Sequence, residues 1–125
     1  MRKRMGGCNC GQVRFEVSGD PLRIGVCYCL VCRKETGSLG NFFAVWPSDQ
    51  VLMTGETGSW RLTTDNRHFC ATCGSSVFGL VDGVDEVEVE SAPSTMRPRI
   101  SRRLMNCGRR GANAGSFRLT AHSSI

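Results

Sequence analysis

The chain has 125 residues, 40% hydrophobic and 22% charged, with a formal net charge of +5; these are the proportions of one globular domain and exclude collagen, a coiled coil and wholesale disorder. Its longest apolar runs, such as residues 42–46, are too short to cross a bilayer as a helix. Arg2, Lys3 and Arg4 are followed by Gly6, Gly7 and Cys8 where an export signal needs an apolar run, so a cytoplasmic chain is expected.

In chain order the pattern predicts a mainly β domain. Val13, Phe15 and Val17 alternate with Arg14 and Glu16, the period of a half-buried strand. Ser18-Gly19-Asp20-Pro21 ends it as a turn, and Leu22, Ile24 and Val26 run as a second strand into a group of cysteines. Residues 30–35 read as a short helix closed by Gly37. A buried strand over residues 42–46 follows, stopped by Pro47, with Phe42, Phe43 and Trp46 read as core in preference to the competing reading of a substrate wall. Residues 51–54 and 59–63 are further strands separated by Gly55 and Gly58. Residues 67–69 lead into a second cysteine group and residues 77–81 leave it, and Val84, Val87 and Val89 alternate with acids in a last strand. There is no internal repeat, and no glycine loop has the context of a phosphate site.

Eight cysteines and fifteen glycines are the unusual entries in the composition. Cys8 and Cys10 form C-x-C, Cys27, Cys29 and Cys32 form C-x-C-x-x-C, Cys70 and Cys73 form C-x-x-C, and Cys107 stands alone. Cysteines one or two positions apart do not readily bridge each other, and a secreted scaffold spreads its cysteines along the chain. Clusters at these gaps in a chain without an export signal point to metal rather than disulfides. Zinc suits tetrahedral thiolates and has no redox chemistry of its own; an iron–sulfur cluster is the minor alternative. Counting ligands divides the cysteines. Cys70 and Cys73, followed by Gly74, look like a zinc knuckle that needs a second pair, which Cys8 and Cys10 provide. Cys27, Cys29 and Cys32 remain as a triplet, and three protein ligands with an open position are how a catalytic zinc is commonly held. Two zinc ions per chain are expected, one closed and one open.

Gly6-Gly7-Cys8-Asn9-Cys10-Gly11, Val13-Arg14-Phe15-Glu16-Val17-Ser18-Gly19, Cys27-Tyr28-Cys29-Leu30-Val31-Cys32-Arg33 with Thr36-Gly37-Ser38, and Phe69-Cys70-Ala71-Thr72-Cys73-Gly74-Ser75 follow in this order. Over roughly residues 6–90 the chain thereby resembles the glutathione-dependent formaldehyde-activating enzyme (GFA) family. The resemblance implies a zinc-containing β-tent fold, in which strands of two sheets form a tent over the metal sites. It implies that Cys8, Cys10, Cys70 and Cys73 hold a structural zinc and that Cys27, Cys29 and Cys32 hold a catalytic one. It also implies carbon–sulfur lyase activity, the founding reaction being condensation of glutathione with formaldehyde to S-hydroxymethylglutathione. An open zinc position can lower the pKa of a bound thiol or polarise a carbonyl oxygen. Three thiolates on one divalent ion leave the site negative, which favours thiol exchange over water activation. Tyr28 stands where the family often carries histidine, and His68 and His122 read as surface or strand residues rather than bases. Arg33 and Lys34 are candidates to hold a substrate carboxylate, against the competing reading of a solvated helix face.

The resemblance stops near residue 90. Residues 91–125 contain seven arginines, no lysine and no acid, while residues 1–90 hold nine bases and eleven acids. Such a break marks a disordered or nucleic-acid-binding extension, or a change of reading frame. Arg102 to Gly108, back-translated as CGC CGA CTT ATG AAC TGT GGG and read from its third base, gives Pro-Thr-Tyr-Glu-Leu-Trp, a family-like segment. In the same shifted frame Ser91 to Met96 permit Gly-Ser-Phe-Asp-Asp and Gly111 to Ser116 permit Gly-Glu-Arg-Trp-Leu. The expectation is a zinc-binding GFA-like domain over residues 1–90, incomplete at its C-terminal end, and an atypical tail over residues 91–125 translated out of frame, with Cys107 accidental.

A zinc-dependent carbon–sulfur lyase acting on a glutathione-like thiol and a formaldehyde-like aldehyde is the leading expectation. A non-catalytic zinc-binding module, structural or partner-binding, is the alternative. Nucleic-acid binding through the tail is disfavoured, because the body is slightly acidic and Phe117 is the tail's only aromatic residue. No membrane partner is expected, and strand edges left open by missing strands could pair two copies into a homodimer.

Overall fold

The computed structural model describes residues 2–90 and the backbone of Leu104–Asn106. Apart from that backbone segment, the readings placed on residues 91–125, including the tail, Cys107 and His122, lie outside the described residues. The elements run β1 (Lys3–Gly7), β2 (Arg14–Ser18), β3 (Arg23–Cys27), α1 (Leu30–Thr36), β4 (Asn41–Pro47), β5 (Val51–Thr54), β6 (Thr57–Leu62), β7 (Asp65–Cys70), β8 (Ser76–Val81), β9 (Glu86–Val89) and β10 (Leu104–Asn106), with a 3-10 turn at Ser48–Gln50. They form two sheets: a three-stranded one in the order β1-β2-β5, and a seven-stranded one in the order β10-β3-β4-β9-β8-β7-β6. Neighbours are antiparallel except β10, which runs parallel to β3. This is the mainly β, two-sheet, single-domain architecture the sequence leads one to expect.

The core lies where the alternating patterns point. Phe15 and Val17 of β2 are buried while Arg14 between the turn and the core faces water. From the larger sheet, Ala44 and Trp46 of β4, Val77 of β8, and Val87 and Val89 of β9 join them in one cluster that also includes Cys8 and Cys70. Trp46 is fully buried, and its indole Nε1–H donates to the Gly19 carbonyl at 3.1 Å, so its polar atom is satisfied. Arg4 of β1, also buried, donates to the same carbonyl at 2.8 Å. The turn after β2 thus ties a strand of each sheet to one acceptor. Truncating Trp46 to alanine removes this anchor and the ring's packing, a change that costs about 3–5 kcal/mol in a well-packed core.

The structure departs from the sequence reading at four places. β1 was not foreseen, because Lys3–Gly7 has no alternating apolar pattern; it forms by pairing in full register with β2. Gly58 lies inside β6 rather than ending a strand, because the Phe69 ring of the paired residue on β7 covers it and a Cβ there would come 2.5 Å from that ring. Phe42 is 58% exposed near the start of β4, on the same strand face as Ala44 and Trp46, whereas Phe43 and Trp46 are core as expected. Val84 precedes the last strand and is exposed in the turn before it.

Candidate metal centre

The first cysteine group is built by two turns. Cys8 follows β1 directly; its N–H donates to the Val13 carbonyl at 3.0 Å, and the Val13 N–H donates to the Cys8 sulfur at 3.3 Å. The second turn joins β7 to β8, where the Cys70 sulfur accepts from the N–H groups of Thr72 and Cys73, each at 3.4 Å. Gly74 closes that turn at φ +78° with its N–H on the Cys70 carbonyl at 2.9 Å, the left-handed position for which a glycine follows the C-x-x-C pair. The Asn9 N–H donates to Ser75 Oγ at 3.2 Å, and the Thr72 hydroxyl bonds Gln12, so the turns meet directly.

Four sulfurs converge there. Cys8, Cys10, Cys70 and Cys73 have Sγ atoms within 4.8 Å of one another, with 3.6 Å between Cys8 and Cys10 and between Cys10 and Cys70. A tetrahedral zinc with Zn–S of about 2.3 Å sets sulfurs about 3.8 Å apart, whereas a disulfide needs about 2.05 Å. None of the seven described cysteines is in a disulfide, so these spacings fit a metal and not a bridge. The Ser75 hydroxyl and the N–H beside it hold the Cys73 thiol down to about 5, whereas, despite the Gln12 N–H, desolvation and the neighbouring sulfurs push Cys10 up to about 11.

The second group lies at the junction of β3 and α1. Cys27 ends β3, Cys29 is the N-cap of α1 and Cys32 lies in its first turn, with the Cys32 N–H donating to the Cys29 sulfur at 3.4 Å. Their sulfurs also lie within 4.8 Å of one another, Cys27 and Cys29 at 3.4 Å, and among the described residues no further Cys, His or carboxylate joins them. Cys32 is buried, which pushes its thiol up, while Cys29 is exposed and Cys27 half-buried. The accessible side of the cluster is therefore that of Cys29 and Cys27. Three soft donors of this kind suit zinc and leave one coordination position to another ligand.

Behind Cys32 is a buried polar network that sequence reasoning did not identify. Arg67 Nη1 lies 3.4 Å from the Cys32 sulfur and 2.6 Å from Glu35 Oε2, and the ion pair with Glu35 is nearly enclosed, at 12% and 8% side-chain exposure. Ser76 Oγ is 2.7 Å from Glu35 and 2.6 Å from Glu90. Burial, with Glu35 and Glu88 nearby, raises the Glu90 carboxyl to about 7 despite the Ser76 hydrogen bond. Glu35 had one legible signal: it lies three residues after Cys32 and so on the same face of the helix. Arg67 had none, because 32 positions separate it from Glu35 and 35 from Cys32.

The remaining sequence candidates fall round these groups. Arg33 donates from Nε to the Tyr28 carbonyl at 2.7 Å, and Lys34 is exposed. His68 is a strand residue, its Nδ1 3.0 Å from the Thr57 hydroxyl and its ring stacked on Phe78, and burial lowers its pKa. Tyr28, between two cysteines of the triplet, lines an open groove of about 440 Å³ with Val26, Ser38, Leu39, Gly40 and Phe42. Phe42, read as core, is instead part of this groove.

Comparison with known proteins follows the same lines. The family model described as glutathione-dependent formaldehyde-activating enzyme matches residues 3–98. A protein of Halomonas elongata named "Putative glutathione-dependent formaldehyde-activating enzyme" is 34% identical over 85 residues, which are 58% of this chain and 53% of that protein. One of the same name from Talaromyces marneffei is 30% identical over 95 residues, 66% of this chain and 51% of that protein. The chain thus spans about half the length of the curated relatives it matches. A crystal structure of a Rhodobacter sphaeroides protein superposes with a TM-score of 0.64 over 82% of this chain and 98% of that one, at 22% identity, a likeness of fold.

Proposed function

This chain belongs to the glutathione-dependent formaldehyde-activating enzyme family, and from that membership we propose that it is a zinc-dependent carbon–sulfur lyase that makes or cleaves the adduct of a glutathione-like thiol and a formaldehyde-like aldehyde. The observation that carries the reading is that, among the described residues, three sulfurs converge at Cys27, Cys29 and Cys32, one fewer than a closed site needs, next to a groove. Cys8, Cys10, Cys70 and Cys73 would hold a second, structural zinc.

A zinc held by the triplet supplies an open position at which a thiol ionises or a carbonyl oxygen is polarised. The protein's own residues do the rest. Cys27 and Cys29 set the accessible side of the cluster, with Cys29 fixed by the Cys32 N–H, so the reacting sulfur approaches from the solvent side. Tyr28 and Phe42 line the open groove that takes the non-reacting part of the substrate. Arg33 and Lys34 follow the triplet on the helix, where a cationic side chain can meet a substrate carboxylate; Lys34 is the more exposed of the two.

The test is the rate of S-hydroxymethylglutathione formation from glutathione and formaldehyde, followed by NMR against the uncatalysed reaction. Acceleration by the protein that is lost in Cys29→Ser, with the Cys8, Cys10, Cys70, Cys73 site still loaded, is the expected result. A zinc-loaded protein that accelerates neither this reaction nor that of any other thiol–aldehyde pair contradicts the lyase reading and favours a non-catalytic zinc module.

A further inference from the structure

The buried network behind the triplet has a specific geometry. Arg67 comes from β7, the strand that three residues later delivers Cys70 to the other cysteine group, and it reaches across to α1. Its guanidinium is held on three sides: by Glu35 at 2.6 Å, by Asp65 at 3.4 Å and by the Trp60 ring, whose centroid is 5.7 Å away. Nη1 carries two hydrogens, and its two acceptors are the Glu35 carboxylate and the Cys32 sulfur. Glu35 is in turn fixed by the Ser76 hydroxyl. A nearly enclosed cation thus lies between a nearly enclosed carboxylate and a buried sulfur.

We propose that Arg67 is a positioning residue of the triplet: it orients the Cys32 sulfur and offsets the negative charge of three thiolates around a divalent ion, while Glu35 sets how much of that positive charge reaches the sulfur. This inference rests on the reading of the triplet as a metal site. Three thiolates on a divalent ion carry one net negative charge, and a cation hydrogen-bonded to one of the sulfurs lowers the cost of keeping that charge in a partly buried place. Without Arg67 the Glu35 carboxylate, 8% exposed, is left facing the Cys32 thiolate with no cation between them. The two partners therefore act with opposite sign. Losing Arg67 weakens metal binding at the triplet, and neutralising Glu35 while keeping its hydrogen bond does not.

The test titrates the metal-free, reduced full chain with cobalt(II), reading sulfur-to-cobalt charge-transfer absorption, and with zinc against a chromophoric chelator. The four-cysteine site is the internal standard in every variant. Arg67→Met is expected to lower the affinity of the triplet by roughly tenfold or more, as loss of a residue that orients a metal ligand commonly does. Arg67→Lys keeps a cation and recovers part of that loss, and Glu35→Gln leaves the triplet affinity unchanged or tighter. An Arg67→Met protein with an intact four-cysteine site and a triplet as tight as the wild type overturns the proposal alone. Should Arg67→Met fail to fold, Glu35→Gln decides: a tenfold weaker triplet in that variant overturns the charge account, and an unchanged or tighter one supports it. A wild-type chain that binds one ion, with no change on Cys27→Ser, Cys29→Ser, Cys32→Ser substitution, removes the metal reading of the triplet and this proposal with it.

Discussion

Gly55 and Gly74 both hold positive φ, at +103° and +78°, yet their surroundings differ. A Cβ at Gly55 would lie 2.2 Å from the backbone oxygen of Gln12, whereas one at Gly74 meets open space. Gly74→Ala therefore carries only the left-handed backbone penalty, about 1–2 kcal/mol, and Gly55→Ala adds a backbone clash and costs more than about 2 kcal/mol. Urea unfolding of the zinc-loaded variants checks this, and equal costs would contradict it. Glu90 gives a pH-dependent counterpart. Its folded carboxyl titrates at about 7 against an ordinary 4.5, so the folded state holds the proton more tightly than the unfolded one. Stability from this group is present at acidic pH and is lost as pH rises through the window from 4.5 to 7. Glu90→Gln stays neutral, so relative to wild type it gains on the order of 2 kcal/mol between pH 5.5 and pH 8. A difference that does not vary with pH would show that Glu90 is ionised throughout. At this scale the sequence disclosed the cysteines and the turn glycine after Cys73, because covalent chemistry and φ preference are local. It did not disclose Arg67 or the exposure of Phe42, which depend on what the folded chain brings near them.

The first cysteine group links elements of different sheets: the β1–β2 turn belongs to the three-stranded sheet and the β7–β8 turn to the seven-stranded one. A metal held by both turns is a cross-link between sheets whose free energy becomes folding free energy, with apparent values of about 10–16 kcal/mol in small zinc-binding peptides. Cys73→Ser, or treatment with a strong chelator, is expected to raise hydrogen exchange in both turns together and to lower the unfolding midpoint. Exchange that rises in the β7–β8 turn alone would mean that no such link exists. Most elements were legible from the chain because their patterns are self-contained: the alternation in β2, β3 and β9, and the Gly37 stop after α1 at φ +65°. β1 was not, since two of its five residues are glycines and two are cationic. Its strand character comes from β2, with the Phe15 ring lying over Gly6 so closely that a Cβ there would come within 2.5 Å of it. A glycine covered by a cross-strand aromatic ring, as also at Gly58 under Phe69, looks like a break in one dimension and is a contact in three.

For the whole molecule, the family model matches residues 3–98, so every cysteine of both groups lies within the matched region. We propose that residues 91–125 are translated in a shifted frame from a point near residues 87–91, on the strength of the three family-like segments readable in one alternative frame. Sequencing the coding DNA tests this: the codons that yield Gly-Ser-Phe-Asp-Asp and Pro-Thr-Tyr-Glu-Leu-Trp are expected, and codons that cannot yield them would refute it. Metal binding should then survive, because all seven candidate ligands precede the shift. Among the described residues no helix is long and apolar enough to cross a membrane. The most direct measurement is zinc per chain by elemental analysis, purified without chelator, for the wild type and for the Cys27→Ser, Cys29→Ser, Cys32→Ser variant. Two ions falling to one is the expected result, with the Cys8, Cys10, Cys70, Cys73 site retained. One ion in both proteins would contradict an open metal site at the triplet, and with it the lyase chemistry proposed for this chain.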